Sequence, residues 1–83
     1  METITQNNAA LKYNIKPKLA TLTENQRIKV GKKVRKIAGI SVATYSRYIN
    51  ARNNDSIDIP GSVLLCFANM LHCTVDDLYN IND

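Results

Sequence analysis

Tryptophan is absent from this 83-residue chain, histidine occurs once and cysteine twice. Cys66 and Cys73 are too few for the disulfide scaffolds of small secreted domains, so the sequence reads as a reduced, cytoplasmic protein. One histidine leaves little material for a metal site or a catalytic triad, and no enzyme is expected. No apolar run approaches the ~18–20 residues of a membrane helix, and the N-terminus shows neither the basic start nor the apolar centre of a signal peptide. The length allows a single hydrophobic core. With 45% hydrophobic and 22% charged residues, the composition is that of a globular chain and not a disordered one.

Basic residues are missing from both ends. All eleven lie between positions 12 and 52: Lys12, Lys16, Lys18, Arg27, Lys29, Lys32, Lys33, Arg35, Lys36, Arg47 and Arg52. Glu24 is the one acid among them, so that stretch carries +10, while the remainder holds Glu2, Asp55, Asp58, Asp76, Asp77 and Asp83 for −6. A solvated basic surface is the plain reading, but so complete a segregation favours a polyanionic partner. A nucleic acid fits better than a membrane surface, which would need apolar residues opposite the lysines that the core already uses.

The first ten residues show no periodicity and are expected to be mobile. Leu11, Tyr13 and Ile15 alternate with Lys12, Asn14 and Lys16, which suggests a short extended segment across the helical body. Pro17 argues against a helix running through this region. Thr23 with Gln26 three residues on has the form of a capping box opening a helix at Glu24. Val30, Val34 and Ile37 form one apolar stripe, but Ile28 lies about 200° from Val30 at 100° per residue. A break near Gly31, giving helices at 24–30 and about 32–38, resolves the conflict; one helix packed on both sides, with Leu19 or Leu22 against Ile28, is the alternative. Gly39 suits a left-handed helix end and Ser41 caps the next helix, 42–50, whose inward positions are Tyr45, Tyr48 and Ile49.

Residues 52–58 form a polar loop, and Pro60 belongs in the first turn of a further helix with Val63, Leu64, Phe67, Ala68 and Leu71 inward. Thr74 and Asp77 cap a short last helix that buries Val75 and Leu78. The expected fold class is all-α: a compact five-helix domain at 23–83 preceded by an N-terminal arm at 1–22.

The segment from Val34 to Asn50, VRKIAGISVATYSRYIN, contains the parts of a helix-turn-helix. Residues Gly39 to Asn50 resemble the turn and recognition helix of the Cro and phage-repressor class, the XRE family. The runs Leu64 to Leu71 and Thr74 to Tyr79 are similar to that family's closing helices, in the right order. The resemblance covers roughly 32–79. It departs from the pattern at Gly31 or Lys32, where the family carries glutamine, at Arg35, where it carries a small residue, and at Ala51, where glycine is usual.

The resemblance implies a sequence-specific regulator of double-stranded DNA, repressor-like and of bacterial or phage origin, binding as a homodimer with no cofactor and no metal. It implies base contacts from Val42, Ala43, Ser46 and Arg47, which are also the outward positions once Tyr45, Tyr48 and Ile49 face in. Arg47 suits a bidentate contact to guanine, and Val42 and Ala43 suit a thymine methyl. Ser41, Thr44, Asn50 and Arg52 are placed for phosphate oxygens, with Lys32, Lys33, Arg35 and Lys36 adding sequence-blind attraction. Lys12, Lys16 and Lys18 would form an arm along a neighbouring backbone or minor groove.

Tyr45 and Tyr48 have the right chemistry to stack on bases, but their inward register favours the core. His72, Cys66 and Cys73 supply three ligands where structural zinc needs four. Asp76 and Asp77 resemble a carboxylate pair, yet at a helix start they serve capping and the macrodipole. An alternative function is an antitoxin or polymerase-binding adaptor that acts mainly through a protein partner. An RNA binder is less favoured, because no exposed aromatic platform appears.

Overall fold

A computed structural model describes residues 10–79; nine of the ten residues expected to form a mobile start, 1–9, and the end of the domain at 80–83 lie outside the described residues. The helices are α1 (Lys16–Ala20), α2 (Glu24–Ala38), α3 (Val42–Asn50) and α4 (Gly61–Leu71), followed by a single 3-10 turn, Asp76–Leu78. The all-α class holds for the described residues. Four α-helices replace the expected five, because 24–30 and 32–38 are one helix, the last helix is a single 3-10 turn, and α1 was not foreseen.

Gly31 does not break α2. It is buried in the helix middle beside the aromatic side chain of α3, where an added Cβ would lie at an ordinary contact distance of 3.5 Å from the Tyr45 ring. The buried arc of α2 runs from Val30 through Val34 and the half-buried Ala38 to Gly31. At 100° per residue, Ile37 lies about 75° and Ile28 about 105° from the centre of that arc. Both are therefore exposed, at 64% and 48%, and the expected burial of Ile37 is corrected.

The ends of α2 follow local chemistry. The Gln26 N–H donates to Thr23 Oγ1 at 3.2 Å and the Thr23 N–H donates to Gln26 Oε1 at 2.9 Å, completing the capping box. Gly39, at φ +67°, ends the helix in the left-handed region. The closing Thr74–Asp77 pair repeats the reciprocal arrangement: the Thr74 N–H donates to the Asp77 carboxylate at 3.1 Å and the Asp77 N–H to the Thr74 hydroxyl at 3.2 Å. Hydrogen bonding to the carboxylate from the Thr74 backbone, and then from its side chain, holds the Asp77 carboxyl below its ordinary range, with burial opposing this slightly and Lys18 adding a smaller attraction.

The described part of the expected arm is built into the core. Tyr13, Ile15 and Leu19 are all buried, and Ile15 is fully so. Residues 10–14 run between two other segments: the Lys12 N–H donates to Ala51 O at 2.8 Å, the Asn53 N–H to Ala10 O at 2.8 Å, and the Asn14 N–H to Leu78 O at 2.6 Å. The Tyr13 hydroxyl accepts from the buried Ile59 N–H at 2.9 Å. Pro17 stands at the start of α1, where its missing N–H costs nothing, so it opens the helix that it was expected to exclude. The inner faces of α2, α3 and α4 close over this strap, with Phe67, Ile15, Leu78 and Val34 as the largest fully buried side chains.

Two glycine substitutions should have opposite signs. Gly31→Ala places its methyl at ordinary contact distance from Tyr45 and improves helix propensity, so it should stabilise by ~0.5–1 kcal/mol. Gly39→Ala has room but a left-handed backbone, and should cost ~1–2 kcal/mol. Chemical denaturation checks both; a destabilised Gly31→Ala would contradict the packing described.

The depressed Asp77 carboxyl gives stability that is present above the ordinary carboxylate pKa and is lost as pH falls through the folded-state value. Asp77→Asn should therefore flatten the acid limb of the melting temperature against pH. Identical acid limbs would contradict the cap.

Candidate nucleic-acid interface

Ser41 starts α3. Its Oγ accepts the Thr44 N–H at 3.1 Å and its own hydroxyl lies 3.1 Å from Thr44 Oγ1 as donor, so both side chains expected at phosphates also serve the cap. The other N–H groups of the first turn stay available to an anion, as at any helix start. Gly39 and Ile40 both direct their N–H groups to Arg35 O, which fixes the turn between α2 and α3.

The orientation of α3 about its axis is set by Tyr45. The ring is buried and stacks on Phe67 of α4 at 5.6 Å between centroids, against the notch at Gly31. Burial pushes the Tyr45 phenol above its ordinary pKa, and the positive charge of Arg35 partly opposes this. Tyr48 and Ile49 are half-buried beside it and pack against the core. Val42, Ala43, Ser46 and Arg47 consequently share the exposed face, Val42 at 65%.

The other residues expected at phosphates fall into three groups. Lys32, Lys33 and Lys36 are exposed on α2, and Lys29, which the sequence reading passed over, belongs with them in one shallow depression beside Met70. Measured from the α3-facing side marked by Gly31 and Arg35, Lys32 and Lys36 lie about 80° and 120° around the helix, while Lys29 and Lys33 lie about 140° and 180° away. Lys32 thus borders the face that carries α3, with Lys36, Lys29 and Lys33 progressively farther behind it. The i, i+3, i+4, i+7 spacing of all four was the signal that could have included Lys29.

Arg35 forms the second group: it is half-buried, with its guanidinium 5.5 Å from the Tyr45 ring centroid, and acts on α3 through that ring. Asn50 and Arg52 form the third, at the far end of α3. Asn50 Oδ1 accepts from Lys16 Nζ at 2.6 Å and its amide nitrogen donates to Ser46 O at 2.8 Å. Arg52 opens a tight turn in which its N–H donates to Asp55 Oδ2 at 2.8 Å, and its side chain is exposed.

Two of the three lysines expected along a DNA arm, Lys12 and Lys16, have partners within the domain. Lys12 Nζ donates to Asp55 O at 2.9 Å, to Ile57 O at 2.7 Å and to Asp58 Oδ1 at 3.2 Å. Lys16 holds Asn50, and Lys18 is half-buried in α1 on the Asp77 side. Their acceptors are far away in sequence, which is why spacing gave no sign of them. Cys66 is buried on α4 and His72 is the exposed left-handed residue after it, so these candidate ligands sit in different environments. Among the described residues no cluster of three or more His, Cys, Asp or Glu is placed to hold a metal, and no helix is long and apolar enough to cross a membrane.

Lys12→Met should cost ~1–2 kcal/mol by stranding two loop carbonyls, with its exposed ion pair to Asp58 contributing little. Unchanged stability together with weakened duplex binding would return Lys12 to an arm.

No curated protein and no solved structure gives a match to the chain. Residues 18–83 match the family of Cro/C1-type helix-turn-helix DNA-binding domains. With Tyr45 packed behind α3 and Val42, Ala43, Ser46 and Arg47 exposed in front, the match over most of the chain places this protein in that DNA-binding family.

Proposed function

We infer that the protein is a sequence-specific, repressor-like transcription regulator that reads the major groove of double-stranded DNA with α3 and binds as a homodimer. The observation that carries this reading is the exposure of Val42, Ala43, Ser46 and Arg47 on one face while Tyr45 is locked behind them. Arg47 offers a bidentate fork to guanine, and Val42 and Ala43 offer apolar contact to a thymine methyl. Ser41, Thr44 and Arg52 lie at the two ends of α3 for phosphate contacts. Lys32 and Lys36 add charge from α2, and Lys33 acts only at longer range.

One short helix reads few base pairs, so a second copy on a palindromic site supplies useful selectivity. An exposed apolar pair favours a protein contact of some kind: Ile37 and Leu65, 64% and 54% exposed, border a depression floored by Cys66 and Met70. This patch also supports the second reading, an adaptor or antitoxin that grips a protein partner.

Selection from a randomised duplex pool, followed by salt titration of the selected duplex, tests the proposal. Affinity should fall with salt on a log–log slope of several units, and Lys32→Ala should lower that slope by about one. Arg47→Ala should flatten preference at one base pair, costing ~1–3 kcal/mol of discrimination. Failure to enrich any sequence, with Arg47→Ala binding every duplex like the parent, would contradict major-groove reading.

A further inference from the structure

Lys16, Asn50 and Ser46 form a chain of contacts that crosses from α1 to the exposed face of α3. An ammonium can only donate hydrogen bonds, whereas a carboxamide has one accepting and one donating end. Lys16 Nζ, 2.6 Å from Asn50 Oδ1, therefore fixes which way the amide points. The amide nitrogen is left toward α3, where it donates to Ser46 O at 2.8 Å and to Ser46 Oγ at 3.3 Å.

The bond to Oγ matters for the groove. A serine inside a helix commonly turns its hydroxyl proton back to the carbonyl one turn earlier. Here the Asn50 amide occupies one of the two lone pairs of Ser46 Oγ, which polarises the hydroxyl toward donation and leaves its proton and one lone pair at an exposed position beside Ala43 and Arg47. The geometry points to Lys16 and Asn50 as positioning residues that present Ser46 to DNA as a hydrogen-bond donor. This inference rests on the base-reading role proposed above for Ser46.

A donor at this point accepts purine N7, guanine O6 or thymine O4 as its partner. It disfavours cytosine, whose major-groove edge offers only the N4 amino group, itself a donor that must use the one lone pair of Oγ that Asn50 leaves. Ser46 thus selects against cytosine at the base it reaches. Lys16, 34 residues before Asn50, sets that preference without touching the duplex.

Asn50→Asp separates positioning from simple attraction. The carboxylate keeps a partner for Lys16 but has no proton to give, so Ser46 must donate its hydroxyl proton to Asp and turn a lone pair outward. Base preferences of the full chain are measured on a randomised duplex pool for the parent, Asn50→Asp, Lys16→Met, Ser46→Ala and Arg47→Ala, with thermal melts to confirm folding. Ser46→Ala should flatten preference at one base pair. Asn50→Asp should raise cytosine about three- to tenfold at that same pair, the worth of one hydrogen bond. Lys16→Met, which frees the amide to flip, should flatten that pair and leave the others unchanged.

Asn50→Asp and Lys16→Met that weaken all duplexes equally, with no base preference moved, overturn the inference. If Asn50→Asp does not fold, the Lys16→Met profile decides alone by the same criterion. Arg47→Ala flattening its own pair while Ser46→Ala is silent overturns the positioning chain only. Silence of both overturns the base-reading role of α3 and the inference with it.

Discussion

Everything on the exposed side of α3 depends on one buried ring. Tyr45 fills the junction of three helices: the notch at Gly31 on α2, the face of Phe67 on α4, and the underside of the Arg35 guanidinium. An aromatic pair of this kind contributes ~0.5–1.5 kcal/mol beyond its buried area, and the cation adds a similar amount. The larger consequence is rotational. A nine-residue helix has no length with which to resist turning about its axis, and a wide, flat side chain in a fitted slot fixes the angle. Gly31 lines that slot on the α2 side, with space for a methyl group at ordinary contact distance from the ring.

A second constraint comes from the N-terminal strap. Residues 10–14 bond on one side to 51–53 and on the other to Leu78, so the exit of α3 and the end of the chain's described part are held to one segment. Its side chains extend the same work: Tyr13 receives the Ile59 N–H, Lys12 gathers two loop carbonyls and a carboxylate, and Lys16 reaches Asn50. The basic half of the sequence is consequently divided. Part of its charge ties the domain together, and the lysines of α2 with Arg47 on α3 remain for a polyanion.

The sequence was a good guide where local chemistry decides. Thr23–Gln26, Gly39, Ser41 and Thr74–Asp77 each mark a helix boundary by hydrogen bonds within a few residues, and all appear where the pattern put them. The inward register of Tyr45, Tyr48 and Ile49 was equally legible from 3.6-residue periodicity. The errors arose where a distant partner decides. Gly31 leaves a break and a continuous helix both open, and only the packing of α2 in the fold decides for one helix. Ile37 reads as core because the small residues Gly31 and Ala38, which centre the buried arc, add almost nothing to an apolar pattern. Lys12 and Lys16 read as arm charges because their acceptors lie 34 to 46 residues away. Pro17 is compatible with a helix only at its first turn, and nothing nearby in the sequence says that a turn begins there.

Amide and side-chain NMR shifts, recorded as duplex is added to the labelled protein, test the central claim most directly. Perturbation should concentrate at Val42, Ala43, Ser46 and Arg47, continue to Lys32, Lys36 and the α3 ends, and leave the Tyr45–Phe67 contact and the acidic Asp76–Leu78 turn unmoved. Shifts centred on Ile37, Leu65 and Met70, with the exposed face of α3 silent, would contradict the account.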